Sequence, residues 1–199
     1  TYYIQGSSRI NVVSEKIMSA EQKKRLKQLR TELPGVEVGE EAANRLSFQV
    51  LIDPATFSLE SLLERASAFS LRLQEDAVKS LVDWNQALAK EVQERGGEAQ
   101  RHYRVMIRQV ALASFSRNIA EKVGVRNCHE CVTFALVARD LSRLVYHSSS
   151  IARHVLMLNG KKRVDSMILK TIADMSEAAS EMQRNAATAF LKKDVKLAI

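Results

Sequence analysis

The chain has 199 residues, enough for one sizeable domain or two small ones, and its 46% hydrophobic and 27% charged residues are typical of a folded protein. Only two prolines and seven glycines are present, which favours long helices over a turn-rich β fold. The net charge of +7 indicates a surface that tolerates or attracts anions, without choosing between nucleic acid, an acidic protein, phosphate and a membrane leaflet.

No apolar run approaches the roughly 18 residues that span a bilayer, and no basic leader with an apolar core precedes the chain. We therefore expect a cytoplasmic protein without a transmembrane segment. The part before Ser58 has 8 basic and 7 acidic residues, and the remainder has 22 and 16, so the excess positive charge lies after Ser58.

The first 53 residues predict a small α/β segment of the βαββ type. Ser19–Gln22 has the pattern of a helix start, and Pro34 and Gly35 stop the basic helix that follows. Fifty-odd residues bury little apolar surface alone, so we expect this segment to pack against the helices or against another copy of the chain. The stretches with β-prone or alternating residues are Tyr2–Ile4, Ile10–Val13, Val36–Val38 and Leu46–Ile52.

Four long amphipathic helices are predicted after Asp53-Pro54, and their short connections favour an antiparallel bundle. Ser58 is the predicted N-cap of the first helix, and a polar turn at Asp83–Asn85 precedes the second. The pair Gly96-Gly97 predicts a kink or break in the second helix, because each glycine costs about 1 kcal/mol against alanine in a helix interior. Gly124 is the predicted C-cap at the end of this second helix.

The third helix, Asn127–Asn159, has the clearest periodicity, and Asn159-Gly160 closes it. The last helix is predicted from about Arg163 to Lys193. The third helix has one seam at steps of three and four, Phe134, Val137, Leu141, Leu144, Ser148, Ile151, Val155 and Leu158, and a polar stripe of Arg139, Arg143, His147 and His154 on its flank. The residues predicted to face inward on the last helix are Val164, Ile168, Met175, Ala178, Met182 and Ala189.

The third helix resembles the helix signature of PhoU-like proteins. Ala138-Arg139-Asp140-Leu141-Ser142-Arg143-Leu144-Val145-Tyr146-His147, followed by Ser150-Ile151-Ala152, is similar to A-R-x-L-E-R-I-x-D-H and N-I-A. Ser142 stands where the family has Glu, and Tyr146 where it has Asp. The resemblance implies a PhoU-like helical bundle and a regulatory role in phosphate uptake and homeostasis, through contact with a phosphate transporter or a sensor component.

The resemblance extends along most of the chain. Asp53-Pro54 with Gln74–Val78 is similar to the first bundle helix of archaeal PhoU-like proteins, Glu94–Tyr103 occupies the place of the second, and Ala187–Ala198 resembles the opening of a second, incomplete repeat. We therefore divide the chain into a connector, 1–54, and a PhoU-like bundle, 55–199, and expect it to be part of a longer protein. The exposed sheet edge and the incomplete repeat predict a homodimer.

The connector resembles the segment that follows an AbrB-like DNA-binding hairpin in archaeal relatives. The alternative function is thus transcription regulation, with DNA bound by a basic surface or by a hairpin outside this chain. Basic residues suited to phosphate contacts lie at Lys23–Arg30, Lys161–Arg163 and Lys192–Lys193.

The resemblance implies the fold without the metal. In PhoU-like proteins the two replaced acids belong to a motif that ligates a metal cluster, and hard cations need several converging carboxylates. Only Glu98 and Asp76 are weak candidates here, so we expect neither metal nor cofactor. No nucleophile, phosphate-loop or metalloprotease motif occurs, so we expect no enzyme.

Two further constellations have open interpretations. The first is an anion- or partner-binding set, for which the alternative is that the arginines pair with acids such as Asp76 or Glu98 and that the histidine is structural. The second is Cys128-x-x-Cys131 at a helix start, where the dipole is expected to lower a thiol pKa; it predicts a redox pair, a zinc site completed by His102, His129, His147 or His154, or two half-buried residues with Cys131 inward. The anion set consists of Arg101, Arg104, Arg108, Arg139, Arg143 and His147.

Overall fold

A computed structural model describes residues 1–53, 56–158 and 164–198. Within them the chain is mainly helical, with a small antiparallel sheet near its beginning, and no described helix has the length and apolarity needed to cross a membrane. The elements are β1 Arg9–Val13, α1 Ala20–Glu32, β2 Val36–Glu41, β3 Arg45–Val50, α2 Leu59–Val82, α3 Gln86–Phe115, α4 Arg117–Val123, α5 Cys128–Met157 and α6 Ser166–Lys192.

The chain forms two compact units, each made of two separate segments. The first unit combines Thr1–Leu59 with Arg104–Ala135, and the second combines Glu60–Tyr103 with Leu136–Ile199. Our division from sequence instead assigned all residues from 104 onward to the bundle. Its boundary at Pro54 and Ala55 lies outside the described residues.

The first unit contains the predicted βαββ arrangement. The strands pair antiparallel in the order β1-β3-β2, and β3 supplies Leu46, Phe48 and Val50 to a buried core. Ser19 caps α1 with a capping box, and Leu26 and other partly buried side chains pack against that core.

The prediction of a strand at Tyr2–Ile4 was wrong, because these residues form a turn. Gly6 donates its amide to the Tyr3 carbonyl and has φ +93°, a conformation that suits glycine. Arg108 of α3 donates a hydrogen bond to the same Tyr3 carbonyl at 2.8 Å. The Tyr3 carbonyl therefore already accepts two hydrogen bonds and does not pair with a neighbouring strand.

The second unit contains a core shared by α2, α3 and α5, to which Leu73, Val92, Val145 and Val155 contribute. Contacts between these helices run in opposite sequence directions, which makes neighbours antiparallel. Between α2 and α3 the pairs are Phe69 with His102 and Asp76 with Arg95; between α3 and α5 they are Gln93 with Ser149 and Gln100 with Ser142.

Of the predicted kink or break at Gly96-Gly97, the break was wrong, since α3 is one helix from Gln86 to Phe115. A side chain on Gly96 would overlap the Ser149 hydroxyl of α5, so this glycine permits close approach of two helices. Gly124 is a left-handed C-cap as predicted, with φ +84°, but the helix that it closes is the separate short α4.

The seam predicted for α5 is confirmed, because its eight positions are all buried or partly buried. Asn127 begins the helix by accepting the amide of Glu130 at 3.0 Å. The predicted helix end at Asn159-Gly160, the start at Arg163 and the basic Lys161–Arg163 turn lie outside the described residues.

The inward face predicted for α6 was mostly wrong. Ile168, Met175 and Met182 are 53%, 68% and 72% exposed, and of the predicted inward residues only Ala189 is buried. Leu169 and Ser180 lie on the side of α6 that hydrogen bonds to polar residues of α2, whereas the buried Ala189 continues the seven-residue line of Ile168, Met175 and Met182.

Candidate functional site

The polar stripe of α5 is the most prominent candidate surface. Arg139, Arg143, His147 and His154 are all exposed on a helix whose opposite side is buried. Arg139 forms an ion pair at 3.3 Å with Asp140, the next residue in the chain. Such an exposed pair contributes little stability, so these side chains remain able to meet an external group.

The positions at which PhoU-like proteins have acids are neutral in this stripe. Ser142 donates its hydroxyl to the Gln100 side-chain oxygen at 3.1 Å, and the Gln100 amide donates back to the Ser142 carbonyl at 3.3 Å. Tyr146 is 59% exposed, and its ring meets the His147 ring edge-on with 5.6 Å between centroids. The stripe therefore offers hydrogen-bond donors and cations, not the carboxylates that a hard metal requires.

The three α3 arginines have different surroundings and do not form one exposed ridge. Arg101 is exposed and belongs to the second unit. Arg104, in the first unit, donates to the Glu32 carbonyl at 2.9 Å and lies 3.6 Å from the Glu32 carboxylate. It is therefore already paired within its own unit.

Arg108 is buried, with 5% of its surface exposed, which contradicts its assignment to an anion-binding surface. Its guanidinium donates to the carbonyls of Tyr3 and Ser7 at 2.8 and 2.9 Å and lies 5.1 Å from the Tyr3 ring centroid. Burial lowers the pKa of Arg108, and burial also raises the pKa of Tyr3 against the opposing charges of Arg108 and Arg104. Arg108 therefore holds the Tyr3–Ser7 turn against α3.

The candidate metal ligands are not brought together. Asp76 forms an ion pair with Arg95, while Glu98 is exposed. Across residues 1–53, 56–158 and 164–198, no group of three or more His, Cys, Asp and Glu side chains is placed to hold a metal ion.

The two cysteines are free thiols, Cys128 exposed and Cys131 buried. Burial raises the pKa of the Cys131 thiol, and the nearby charges of Cys128 and Glu130 raise it further. The expectation of a lowered thiol pKa is therefore wrong for Cys131, because desolvation by burial is the largest effect and outweighs the lowering by a backbone hydrogen bond.

A basic groove of about 730 Å³ lies along α1 in the first unit. Glu41 at the end of β2 accepts Lys27 at 2.7 Å and Lys23 at 3.4 Å, which fixes two of the lysines. The hydrogen bond from Lys27 is the main reason that the pKa of Glu41 is lowered, and burial opposes it. The lining residues are Met18, Ala20, Lys23, Lys24, Lys27, Gln28, Arg30, Thr31 and Glu41.

Sequence reasoning identified the basic helix but missed the groove and Glu41. Strand β2 has a register irregularity between Val38 and Glu41, where the Ser47 hydroxyl accepts the Glu40 amide. No periodicity in the sequence predicts this irregularity, which sets the position of Glu41 in the sheet.

Comparison of this chain with family models, with curated proteins and with solved structures gives no match. The resemblance to PhoU-like proteins is therefore a resemblance of sequence motifs alone.

Proposed function

We propose that this chain is a cytoplasmic PhoU-like regulator of phosphate uptake and homeostasis, which acts by binding another protein and not by catalysis. The partner is a phosphate transporter or a sensor component, as the resemblance implies. A single observation supports this role: the residues shared with the PhoU-like signature divide between two sides of one helix. Leu141 and Ala152 are buried, whereas Arg139, Arg143 and His147 are exposed.

This division suits a recognition helix. The buried residues hold α5 in place, and the exposed arginines present planar, permanently charged donors that match carboxylates on a protein partner. The surface is rigid because the side chains extend from a 30-residue helix and not from a loop.

The test is phosphate uptake in cells in which the chromosomal gene carries Arg139→Ala and Arg143→Ala. We expect uptake to stay high when phosphate is plentiful, because the regulator no longer contacts its partner. A matched control replaces Arg25 and Arg117, two exposed arginines that each pair with a glutamate four residues away. The proposal is wrong if deletion of the whole gene leaves uptake unchanged in both rich and poor phosphate.

A second candidate function is transcription regulation through nucleic acid, and the groove along α1 favours it. Lys23, Lys24, Lys27 and Arg30 line the groove against one acid, Glu41, and none of the α1 residues is buried. Clustered cations of this kind neutralise phosphates with a strong dependence on salt.

This candidate is tested by titrating labelled duplex DNA at several salt concentrations. We expect Lys24→Gln with Arg30→Gln to weaken binding and to lower the slope of log K against log salt by about two, one for each lost phosphate contact. The control pair is Lys79→Gln with Lys90→Gln, two exposed lysines outside the groove. Binding that is equally weakened by both pairs would indicate only the general positive charge of the chain.

A further inference from the structure

The two cysteines lie one helical turn apart and differ in exposure. Cys128 is the first residue of α5 and is exposed, whereas Cys131 has only 5% of its surface exposed. The sequence has no other cysteine, and both thiols are free. The surroundings of this pair distinguish between the three interpretations that its spacing allows: a redox pair, a zinc site and simple packing.

Packing explains Cys131 but not Cys128. Cys131 lies three residues before the buried Phe134, on the same side of α5. Cysteine is among the residue types that are most often buried, and it behaves there as a small apolar side chain. The exposed Cys128 contributes little to any core. Its sulfur is instead accessible to molecules in solution.

The start of α5 does not depend on either thiol. The Asn127 side chain accepts the Glu130 amide at 3.0 Å, and the Glu130 carboxylate accepts the Arg126 amide at 2.7 Å. Side chains next to the cysteines therefore satisfy backbone amides at this end of the helix. Capping gives no reason for a cysteine at position 128.

A zinc site lacks ligands. Structural zinc is held by four side chains, of which the pair supplies two. Within the part of the chain that the structure describes, no three His, Cys, Asp or Glu side chains are grouped so as to hold a metal ion. The candidate histidines of the sequence therefore do not complete a site around Cys128 and Cys131.

The spacing of the pair suits a disulfide after a small local movement. Three positions along an α-helix separate two Cα atoms by about 5 Å, inside the range of about 4.4–6.8 Å found in disulfides. The Cβ atoms must approach from about 5–6 Å to about 4 Å. The first turn permits this, because the Cys128 amide has no intrahelical acceptor and the Cys131 amide lies at 3.4 Å, a long hydrogen bond, from the Asn127 carbonyl.

We propose that Cys128 and Cys131 form a reversible disulfide by exchange with a low-molecular-weight disulfide of the glutathione type. The Cys128 thiolate attacks one sulfur of the small disulfide, which gives a mixed disulfide and releases one thiolate. Cys131 then loses its proton, attacks the Cys128 sulfur and releases the second thiolate. The cysteine pair is oxidised by two electrons, and the small disulfide is reduced to two thiols, which take up the two protons.

The difference in burial assigns the two roles. The exposed Cys128 meets the external disulfide, and the buried Cys131 meets only the sulfur of Cys128. Burial also raises the pKa of Cys131, which keeps it protonated until the mixed disulfide forms beside it. The closed loop is very short, so the bond adds little stability and suits a reversible modification more than a structural link.

This site is independent of the proposed function, because it uses neither the exposed arginines of α5 nor the groove along α1. The first test equilibrates the purified chain with mixtures of reduced and oxidised glutathione, followed by acid quenching and alkylation with a heavy maleimide. Reduced protein gains two labels, and the disulfide form gains none. We expect both labels to be lost together as the share of oxidised glutathione rises, and dithiothreitol to restore both.

Two single variants separate the roles of the cysteines. In oxidised glutathione, Cys131→Ser should stop at the mixed disulfide, and its mass should increase by one glutathionyl group. Cys128→Ser should gain this group at least about tenfold more slowly, because Cys131 is buried. In urea-unfolded protein the two variants should react at similar rates, because burial no longer protects Cys131.

The inference is overturned if the wild type stays reduced in oxidised glutathione alone, or if it accumulates the mixed disulfide as Cys131→Ser does. Equal rates for the two folded variants would also overturn it, as would zinc retained on the two thiols of the purified protein. Circular dichroism checks that both variants are folded. The wild-type titration remains decisive if a serine variant does not fold.

Discussion

At the scale of single residues, the adjacent glycines of α3 have different roles. A side chain at Gly96 would meet the Ser149 hydroxyl of α5, whereas one at Gly97 would meet nothing within 4 Å. Glycine in a helix interior costs about 1 kcal/mol against alanine. The same residue type is thus required at one position and unfavourable at the next.

We expect Gly97→Ala to raise the free energy of unfolding by about 1 kcal/mol and Gly96→Ala to give no such gain. Urea denaturation followed by circular dichroism measures both. In the Ser149→Ala background, Gly96→Ala should become stabilising, because the atom in its way has been removed. Equal effects of the two glycine substitutions in the wild-type background would contradict this account of Gly96.

We expect Arg108→Met to lower the free energy of unfolding by about 2 kcal/mol, because one buried and one partly buried carbonyl lose charge-assisted hydrogen bonds. Hydrogen exchange at the Gly6 amide, which donates to the Tyr3 carbonyl at 3.1 Å, should become faster. Arg101→Met is the control, because Arg101 is exposed, and should change stability by less than about 0.5 kcal/mol. Unchanged exchange at Gly6 would show that Arg108 does not hold the turn.

The burial of Arg108 shows that helical spacing in a sequence does not predict which residues are exposed. Arg101, Arg104 and Arg108 recur at helical intervals, which predicts one basic side of a helix and does not reveal what packs against it. Arg108 is covered because carbonyls about a hundred residues earlier in the chain fold over it. Arg139 and Arg143 lie on a helix whose exposed side the sequence predicted well, because its seam is strongly apolar.

At the scale of elements, α1 and β2 are linked through Glu41, and this link should depend on pH. The folded pKa of Glu41 lies below its ordinary value of 4.5, so its contribution to stability is complete above that value and is lost as pH falls through the folded pKa. We expect Lys27→Ala to raise this pKa, measured by carboxyl NMR titration. An unchanged titration curve for Glu41 in Lys27→Ala would contradict the link.

Helix α6 shows how an amphipathic pattern can be assigned to the wrong side. Its existence was predicted correctly, but Ile168, Met175 and Met182 are exposed, and the polar Ser180 is buried on the same side as Leu169. Periodicity finds the apolar side of a helix and assumes that the same chain covers it. That assumption fails when a buried side is satisfied by hydrogen bonds, as between Gln74 and Ser180.

Two neighbouring residues of α6 separate its sides experimentally. Leu169 is 9% exposed and Ile168 is 53% exposed. In dilute protein we expect Leu169→Ala to cost about 2 kcal/mol and Ile168→Ala to cost less than about 1 kcal/mol, measured by thermal unfolding. A reversed order would mean that the opposite side of α6 is the buried one.

At the scale of the whole molecule, each unit depends on two segments that are distant in the sequence. The segment 104–135 supplies Met106, Val110, Val123 and Val125 as buried residues of the first unit. A fragment Glu60–Ala198 lacks the other segment of that unit. We expect the fragment to bind the dye ANS strongly and to unfold less cooperatively than the full chain, because these residues lose their cover.

The fold class was accessible from sequence because helix caps, glycines and seams are local signals. The βαββ order, the capping box at Ser19 and the seam of α5 are of this kind. The grouping of 104–135 with the α/β segment depends on long-range contacts such as that between Arg108 and Tyr3, which no local signal encodes. The candidate surface on α5 was found because the helix seam and its polar flank are local patterns. The groove with Glu41 was missed because the register of β2 against β3 depends on contacts between distant parts of the chain.

The contact between Arg108 and the Tyr3–Ser7 turn affects the order in which the first unit can form. During translation the turn leaves the ribosome about a hundred positions before Arg108, and synthesis at about 5–20 residues per second gives a delay of about 5–20 seconds. During that interval the Tyr3 and Ser7 carbonyls lack their arginine donor. Completion of the turn therefore waits for α3 to emerge, and a nascent chain that stalls before α3 leaves those carbonyls without that donor.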